Sequence, residues 1–260
     1  MLLFSWAIVL LTVVLFAGML VSLEIGRRVG VARLARDPDG LTKGASAAEG
    51  TVFALLGLLL AFTFSGAASR FEDRRWFINE EANAIGTAYL RLDLLPAEAQ
   101  PPLRDLFRRY VNLRASVYQN AKSLEDVASG LVEGTALQNE IWKQAMAAMR
   151  LPGASTQATM LLTPALNEMI DITATRAMAT QNHPPHIIFI LLAALSLIGA
   201  LLVGYGTSTN KDRAWFHHVT FALVISMAIY VIVDLEYPRL GLIKIDGADQ
   251  ALLDVGAGMR

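Results

Sequence analysis

Apolar residues in this chain are concentrated in four runs that contain no Asp, Glu, Lys or Arg. These runs cover residues 1–23, 50–69, 187–209 and 214–233. Because a helix rises about 1.5 Å per residue, about 20 such residues cross a hydrocarbon core of ~30 Å. The pattern therefore predicts four membrane-spanning helices, of which the last two form a hairpin around the polar turn at residues 210–213. A cleaved signal peptide is the less favoured interpretation of the first run, which has neither a basic start nor a small-residue cleavage site.

Residues 70–183, between the second and third runs, have the composition of a domain that lies in water. Their apolar residues recur with the period of a helix rather than that of a strand. Two local patterns predict helix starts: Thr135 with Gln138 as a capping box, and Thr163 before Pro164 as an N-cap with a first-turn proline. The predicted fold is all-α, with four parts: spans one and two with a basic connecting loop (1–69), a helical extramembrane domain (70–183), a transmembrane hairpin (184–236) and a tail (237–260).

The composition fits a chain divided between bilayer and water. Of its 260 residues, 54% are hydrophobic and 17% are charged. The net charge of −1 gives no overall electrostatic attraction for nucleic acid. The absence of cysteine excludes disulfides and thiol catalysis, and the spacing of the His183/His186 and His217/His218 pairs does not suit a metal site. We expect no metal, no cofactor and no catalytic residue, since no set of nucleophile, base and electrophile is found.

The segment after the second run is the most informative part of the sequence. It has no proline before Pro96, so the spanning helix is expected to continue out of the bilayer as one rod. On a helical wheel its polar residues share one arc, here called the polar stripe: Glu72, Arg75, Asn79, Glu80, Asn83, Thr87 and Arg91. Such a stripe could line a water-filled path for ions at a pore mouth. By composition alone, a solvated helix face with weak i,i+4 pairs is the favoured interpretation.

Three charged residues fall where burial is expected. Arg114 lies within the apolar arc of the first long helix of the extramembrane domain, so it needs a partner such as Glu80 or Glu81. A salt bridge between two helices is the preferred interpretation, and an anion site is the alternative. Asp234 and Glu236 follow the fourth run, where ion coordination is one interpretation and an interfacial stop signal or a cap-like contact is at least as favoured.

Motifs in two places resemble a known family. They are the stretch Phe62 to Leu95, with Arg70, Arg74/Arg75, Glu80/Glu81, Ala84 to Thr87 and Tyr89 to Arg91, and the ending Asp234 to Pro238 followed by Gly241 and Ile243. These residues look like the signature of the bacterial bestrophin-like family of unknown function. Its layout of two spans, a helical block, two spans and a short tail is similar to nearly the whole chain. The family has a remote resemblance to bestrophins, which are homopentameric ion channels.

The resemblance implies a homo-oligomeric ion channel, a pentamer, whose second spanning helix lines the pore. Bestrophins line their narrowest pore segment with apolar and aromatic side chains, and the candidates here are Phe53, Phe62 and Phe64, followed by Ser65 and Ser69. The arginines after this span favour chloride or other small anions. No run is similar to the acidic calcium clasp of animal bestrophins, so calcium gating is not implied. The alternative function is a non-conducting membrane scaffold or sensor whose helical domain binds a partner, and a membrane enzyme has the least support.

A multi-pass protein of the bacterial inner membrane is expected, but two arguments disagree on its orientation. One side of the membrane carries the basic residues of the first connection and of the hairpin turn: Arg27, Arg28, Arg33, Arg36, Lys43, Lys211 and Arg213. The positive-inside rule puts them in the cytoplasm, which weakly predicts that both termini and the helical domain lie outside. The resemblance implies the reverse, because true bestrophins keep the helical domain and both termini in the cytoplasm.

Overall fold

A computed structural model describes residues 2–36, 45–119, 124–209, 215–239 and 241–259. In these ranges the regular elements are helices, and the all-α prediction is confirmed. They are α1 (Leu2–Leu34), α2 (Ala45–Leu90), α3 (Gln100–Gln119), α4 (Leu124–Ala148), α5 (Thr156–Gln181), α6 (His186–Gly206), α7 (Trp215–Glu236) and α8 (Asp246–Gly258), with short 3₁₀ turns after α2 and α6. The turn at residues 210–213 and Lys43 lie outside the described residues.

Four of the described stretches are long and apolar enough to cross a membrane, and they overlap the four uncharged runs. Two helices extend well beyond their runs, since α1 has 33 residues and α2 has 46. The expectation of one continuous rod after the second run is therefore confirmed as far as Leu90. At about 1.5 Å per residue, α2 is about 70 Å long, more than twice what a bilayer core requires.

The described chain divides into two compact units. The membrane unit comprises Leu2–Phe71 and His183–Ile243, and the helical unit comprises Glu72–Asn182 and residues 244–259. The residues expected as a separate tail, 237–260, are shared between the two. Those up to Ile243 belong to the membrane unit, whereas α8 belongs to the helical unit, where Leu252 is fully buried.

In the membrane unit, α1 and α6 run parallel and touch backbone to backbone at glycines. A Cβ atom added at Gly26 would lie 1.9 Å from the carbonyl oxygen of Leu201, and one added at Gly204 would lie 2.0 Å from that of Leu23. Such close approach is the usual role of small residues in spanning helices, where dispersion contacts rather than water exclusion hold helices together. Beside this contact, Met19, Leu23, Ala200 and Ala222 form a buried cluster that includes α7.

The two local capping predictions are wrong. Thr135 lies in the middle of α4, and its hydroxyl donates to the carbonyl of Leu131 at 3.1 Å. Helix α5 begins at Thr156, where the Ser155 side chain accepts the Ala158 N–H at 3.1 Å, so Pro164 lies inside the helix. Both helices begin earlier than the local patterns indicate because residues before those patterns are buried in the helical unit, among them Ala158 and Leu162 of α5.

Candidate functional site

The face of α2 that its own membrane unit leaves exposed carries most of the predicted pore residues. Phe62 is 68% exposed and Phe64 48%, and Ser65 and Ser69 are also exposed. Phe53 is instead half-buried, with its ring centroid 6.2 Å from that of Phe221 in an edge-to-face contact. The structure therefore places Phe53 in helix packing and leaves the other four accessible.

These accessible residues do not all share one direction. At about 100° per residue, Phe62 and Phe64 point about 200° apart around the axis of α2. Ser65 and Ser69 lie within about 60° and about 20° of Phe62 on the same count. Phe62, Ser65 and Ser69 thus form one face, here called the Phe62 face, and Phe64 lies at the opposite border of the exposed arc.

The polar stripe lies in the helical unit, and each of its seven residues is exposed or half-buried. Within it, Arg75 pairs with Glu72 at 3.0 Å, one helical turn apart. Arg91 donates to the carbonyl of Leu161 on α5 at 2.7 Å. The Glu72–Arg75 pair is of the kind that a solvated helix face makes, and it contributes only a few tenths of a kcal/mol. The Arg91 contact instead joins the end of the stripe to α5.

Four charged side chains form a buried network inside the helical unit, here called the Glu81 network. Glu81 of α2 lies between two guanidinium groups, with Arg114 Nη2 of α3 at 3.2 Å and Arg176 Nη1 of α5 at 2.5 Å from the same carboxylate oxygen. Arg176 also donates to Asp249 of α8 at 3.2 Å. All four residues are almost completely buried. Two cations and two anions cancel, so the network carries no net charge and joins four helices.

Next to this network, a neutral hydrogen-bonded group joins α3, α4 and α5. The Tyr110 hydroxyl lies 3.0 Å from that of Thr173, and the Gln138 side-chain amide donates to both, at 2.8 and 3.0 Å. Burial raises the pKa of Tyr110, and the negative charge of Glu81 raises it further. The phenol therefore stays neutral and serves as a hydrogen-bonding partner for Thr173 and Gln138.

In the membrane unit, Glu236 is held by an arginine and a histidine side chain. Its carboxylate is fully buried and accepts from Arg70 Nε at 2.8 Å, and its second oxygen lies 3.3 Å from Nδ1 of His183. The His183 ring stacks on Tyr237, with centroids 4.6 Å apart. Arg70 is the last charged residue of α2 in this unit, and His183 begins the second segment of the unit. Glu236 therefore connects the end of α7 to Arg70 in the first segment of the unit and to His183 at the start of the second.

The carboxylate of Asp234 is held by hydrogen bonds from backbone groups. Its carboxylate is fully buried and accepts N–H groups from Leu242 and Ile243 at 3.0 to 3.1 Å. A Cβ atom at Gly241 would lie 1.2 Å from Oδ1 of Asp234, so only glycine allows the chain to approach the carboxylate this closely. Such a contact resembles a helix cap in its chemistry. We call Arg70, His183, Asp234, Glu236 and Tyr237 the α7-end cluster.

The sequence predicted that Arg114 is buried with Glu80 or Glu81 as its partner, and the structure shows Glu81. Arg176 and Asp249 were not predicted. A signal for both was present. Arg176 follows Leu162 and Met169 at intervals of seven residues, which places it on the buried face of α5. Asp249 stands between the buried Ile245 and Leu252, at helical spacing from each. Among the described residues, no group of three or more His, Asp or Glu is arranged to hold a metal.

Comparison with known proteins bears on this arrangement of four spans and a helical unit. The model of one family, described as the Bestrophin-like domain, matches residues 13–249. The chain belongs to the bestrophin-like family. The resemblance recognised in the sequence motifs is thereby confirmed, and both the Glu81 network and the α7-end cluster lie within the matched region.

Solved structures agree on the fold. The chain is similar to the crystal structure of a bacterial bestrophin homolog from Klebsiella pneumoniae carrying one mutation, with 16% identity and a TM-score of 0.66 over 93% of this chain and 98% of that one. It is also similar to two structures of a membrane protein, each with a point substitution, at 14% and 13% identity. Their TM-scores are 0.60 and 0.61. The two matches cover 93% and 92% of this chain, and 98% and 97% of the matched chains. No match is found among curated proteins.

Proposed function

We propose that this bestrophin-like protein is an oligomeric ion channel in which the Phe62 face of α2 lines the path for ions. Family membership and the fold support a channel. The observation that carries the proposal is that Phe62, Ser65 and Ser69 share one face of a spanning helix and are left accessible by the described helices of their own unit. An apolar ring followed by hydroxyl groups is an arrangement that suits a narrow ion path.

The proposal requires several copies around an axis. One copy offers a single α2, and one helix cannot enclose water. In a closed ring each copy would present the same face inward, and the resemblance to bestrophins implies five copies. Phe62 from each copy would then form a hydrophobic constriction that opens and closes by wetting and drying. The hydroxyl groups of Ser65 and Ser69 would meet the hydrated ion on one side of it.

The preference for small anions, such as chloride, stays a prediction. It rests on the basic residues that follow the second span. In the structure Arg70 is paired with Glu236, and Arg75 is paired with Glu72. Arg74 donates to the carbonyl oxygens of Ala179 and Asn182 at 3.1 and 3.0 Å. Because Arg74 is one of these basic residues, its replacement tests the predicted preference.

The test is ion flux through purified protein in liposomes. We expect wild type to conduct, and we expect Phe62→Ala to raise the flux several-fold because it removes the apolar ring. Phe64→Ala is the matched control, since it makes the same change on the same helix about 200° away. It should leave the flux close to that of wild type. Reversal potentials in a chloride gradient, measured for wild type and Arg74→Gln, test the anion preference.

Three results would contradict the proposal. Absence of flux in wild type and in Phe62→Ala, over a range of pH and voltage, would favour the scaffold or sensor. A several-fold increase with Phe64→Ala and none with Phe62→Ala would show that a different face of α2 meets the axis. An oligomer without a central opening would exclude the pore irrespective of flux measurements.

A further inference from the structure

The membrane unit contains a cavity of about 360 Å³ between α1, α6 and α7. Its volume lies in the range of pockets that bind small molecules. The walls are apolar over most of their length, with Ile8, Leu11 and Leu15 from α1, Ile190 from α6 and Ile229 from α7 among the lining residues. This cavity takes no part in the proposed ion path, because none of its lining residues comes from α2.

The cavity follows from the distribution of glycine along α1 and α6. Toward their carboxyl ends, the two helices touch at Gly26 and Gly204. Toward their amino ends, the facing segments Ile8 to Leu15 and His186 to Ala193 contain no glycine that would allow such close approach. The cavity lies beside these two segments, which supply most of its lining residues.

The polar groups of the cavity are concentrated at one end. His186 is the first residue of α6 and Tyr237 directly follows α7, so both mark the level at which the apolar runs stop. Imidazole and phenol rings are well suited to the headgroup level of a bilayer. Deeper inside, the Thr12 hydroxyl donates to its own helix at the carbonyl of Ile8, at 3.0 Å. The interior therefore offers apolar contact, and the mouth offers a hydrogen-bond donor in His186.

This combination matches one class of ligand. An apolar cavity of this size gives a hydrocarbon chain apolar contact on all sides and is unfavourable for water. The imidazole N–H at the mouth suits the acceptor oxygens of a phosphate. The cavity lies on helices that cross a bilayer, where phospholipid supplies both parts. We propose that it binds one acyl chain of a phospholipid, with the phosphate beside His186.

The test uses protein reconstituted with dioleoylphosphatidylglycerol and released into detergent for native mass spectrometry. We expect wild type to retain one phospholipid per chain. Ala193→Trp places an indole in the cavity, since Ala193 lines it, and should abolish that adduct. Ala194→Trp is the matched control, because the neighbouring Ala194 is exposed and is not among the lining residues. It should retain the phospholipid.

A second variant keeps the proposal testable if Ala193→Trp does not fold. His186→Ala leaves the apolar walls intact, so it should still bind a chain but lose several-fold of the preference for dioleoylphosphatidylglycerol over dioleoylglycerol, which has no phosphate. Three results would overturn the proposal: equal phospholipid retention by Ala193→Trp and wild type, a wild-type adduct with the mass of a free fatty acid or detergent, or a lipid-free wild type. None of these results depends on whether the protein conducts ions.

Discussion

Glu81 in the helical unit and Glu236 in the membrane unit are both fully buried, yet they are neutralised differently. Glu81 lies between two guanidinium groups that are themselves buried. Glu236 has one arginine and one histidine, Arg70 and His183, whose side chains remain 24% and 26% exposed. A buried charge that loses its partner cannot recover its hydration, whereas a partly exposed one can. The Glu81 network should therefore depend strictly on all of its members, and the α7-end cluster should tolerate loss better.

The largest effect is expected from Glu81→Gln. The change removes the carboxylate that lies between the buried Arg114 and Arg176, and breaking a buried pair in this way costs about 3 to 5 kcal/mol. For a chain of this size the midpoint of thermal unfolding should fall by about 6 °C or more. The measurement is circular dichroism of the purified protein in detergent.

Glu80→Gln is the control for this variant. Glu80 neighbours Glu81 on α2 but is only half-buried, so its replacement should cost less than about 1 kcal/mol. Equal unfolding midpoints for Glu81→Gln and wild type would contradict the view that the network is a buried unit of matched charges.

An intermediate effect is expected from Glu236→Gln. It removes the charge that Arg70 and His183 share, but both side chains can turn toward solvent, so the cost should be about 1 to 3 kcal/mol. The same thermal measurement tests it. Glu72→Gln is the matched control, because it breaks the exposed pair with Arg75 and should change stability by no more than about 1 kcal/mol. A larger loss of stability for Glu236→Gln than for Glu81→Gln would contradict the view that the α7-end cluster tolerates loss better than the Glu81 network.

The smallest effect is expected from His183→Phe. The phenyl ring preserves the stacking on Tyr237 but removes the contact with Glu236, so we expect a loss within about 1 kcal/mol. Adding His183→Phe to Glu236→Gln sharpens the result, since it should cost little more once Glu236→Gln has already weakened the contact that the two residues share. Fully additive losses would indicate that His183 acts on stability without Glu236.

Features that depend on many consecutive residues could be predicted from the sequence, whereas helix starts that depend on distant contacts could not. Runs without charge predicted the spans correctly because the hydrocarbon core acts on about 20 consecutive residues at once. The burial of Arg114 could be predicted from its position in an apolar arc. Short patterns failed at Thr135 and at Pro164, because packing against distant residues extends a helix past a local start signal.

Contacts across long separations could not be predicted from a single sequence. Arg176 and Asp249 are 73 residues apart, and Arg70 and Glu236 are 166 residues apart. Periodicity can show that each of these side chains is buried, but it does not show which buried cation meets which buried anion. Phe53 is a different case, since the count of about 100° per residue already places it about 180° from Phe62, but its contact with Phe221 could not be predicted.

The position of α8 has a consequence for biosynthesis. Asp249 joins the Glu81 network, yet it follows both α6 and α7 in the chain, so the ribosome must produce the last two spans before the network can close. At a synthesis rate of about 5 to 20 residues per second, Asp249 is added to the chain roughly 4 to 15 seconds after Arg176. A nascent chain that stops before α8 lacks the Asp249 carboxylate that Arg176 contacts. The network can therefore be complete only after α8 has been synthesised.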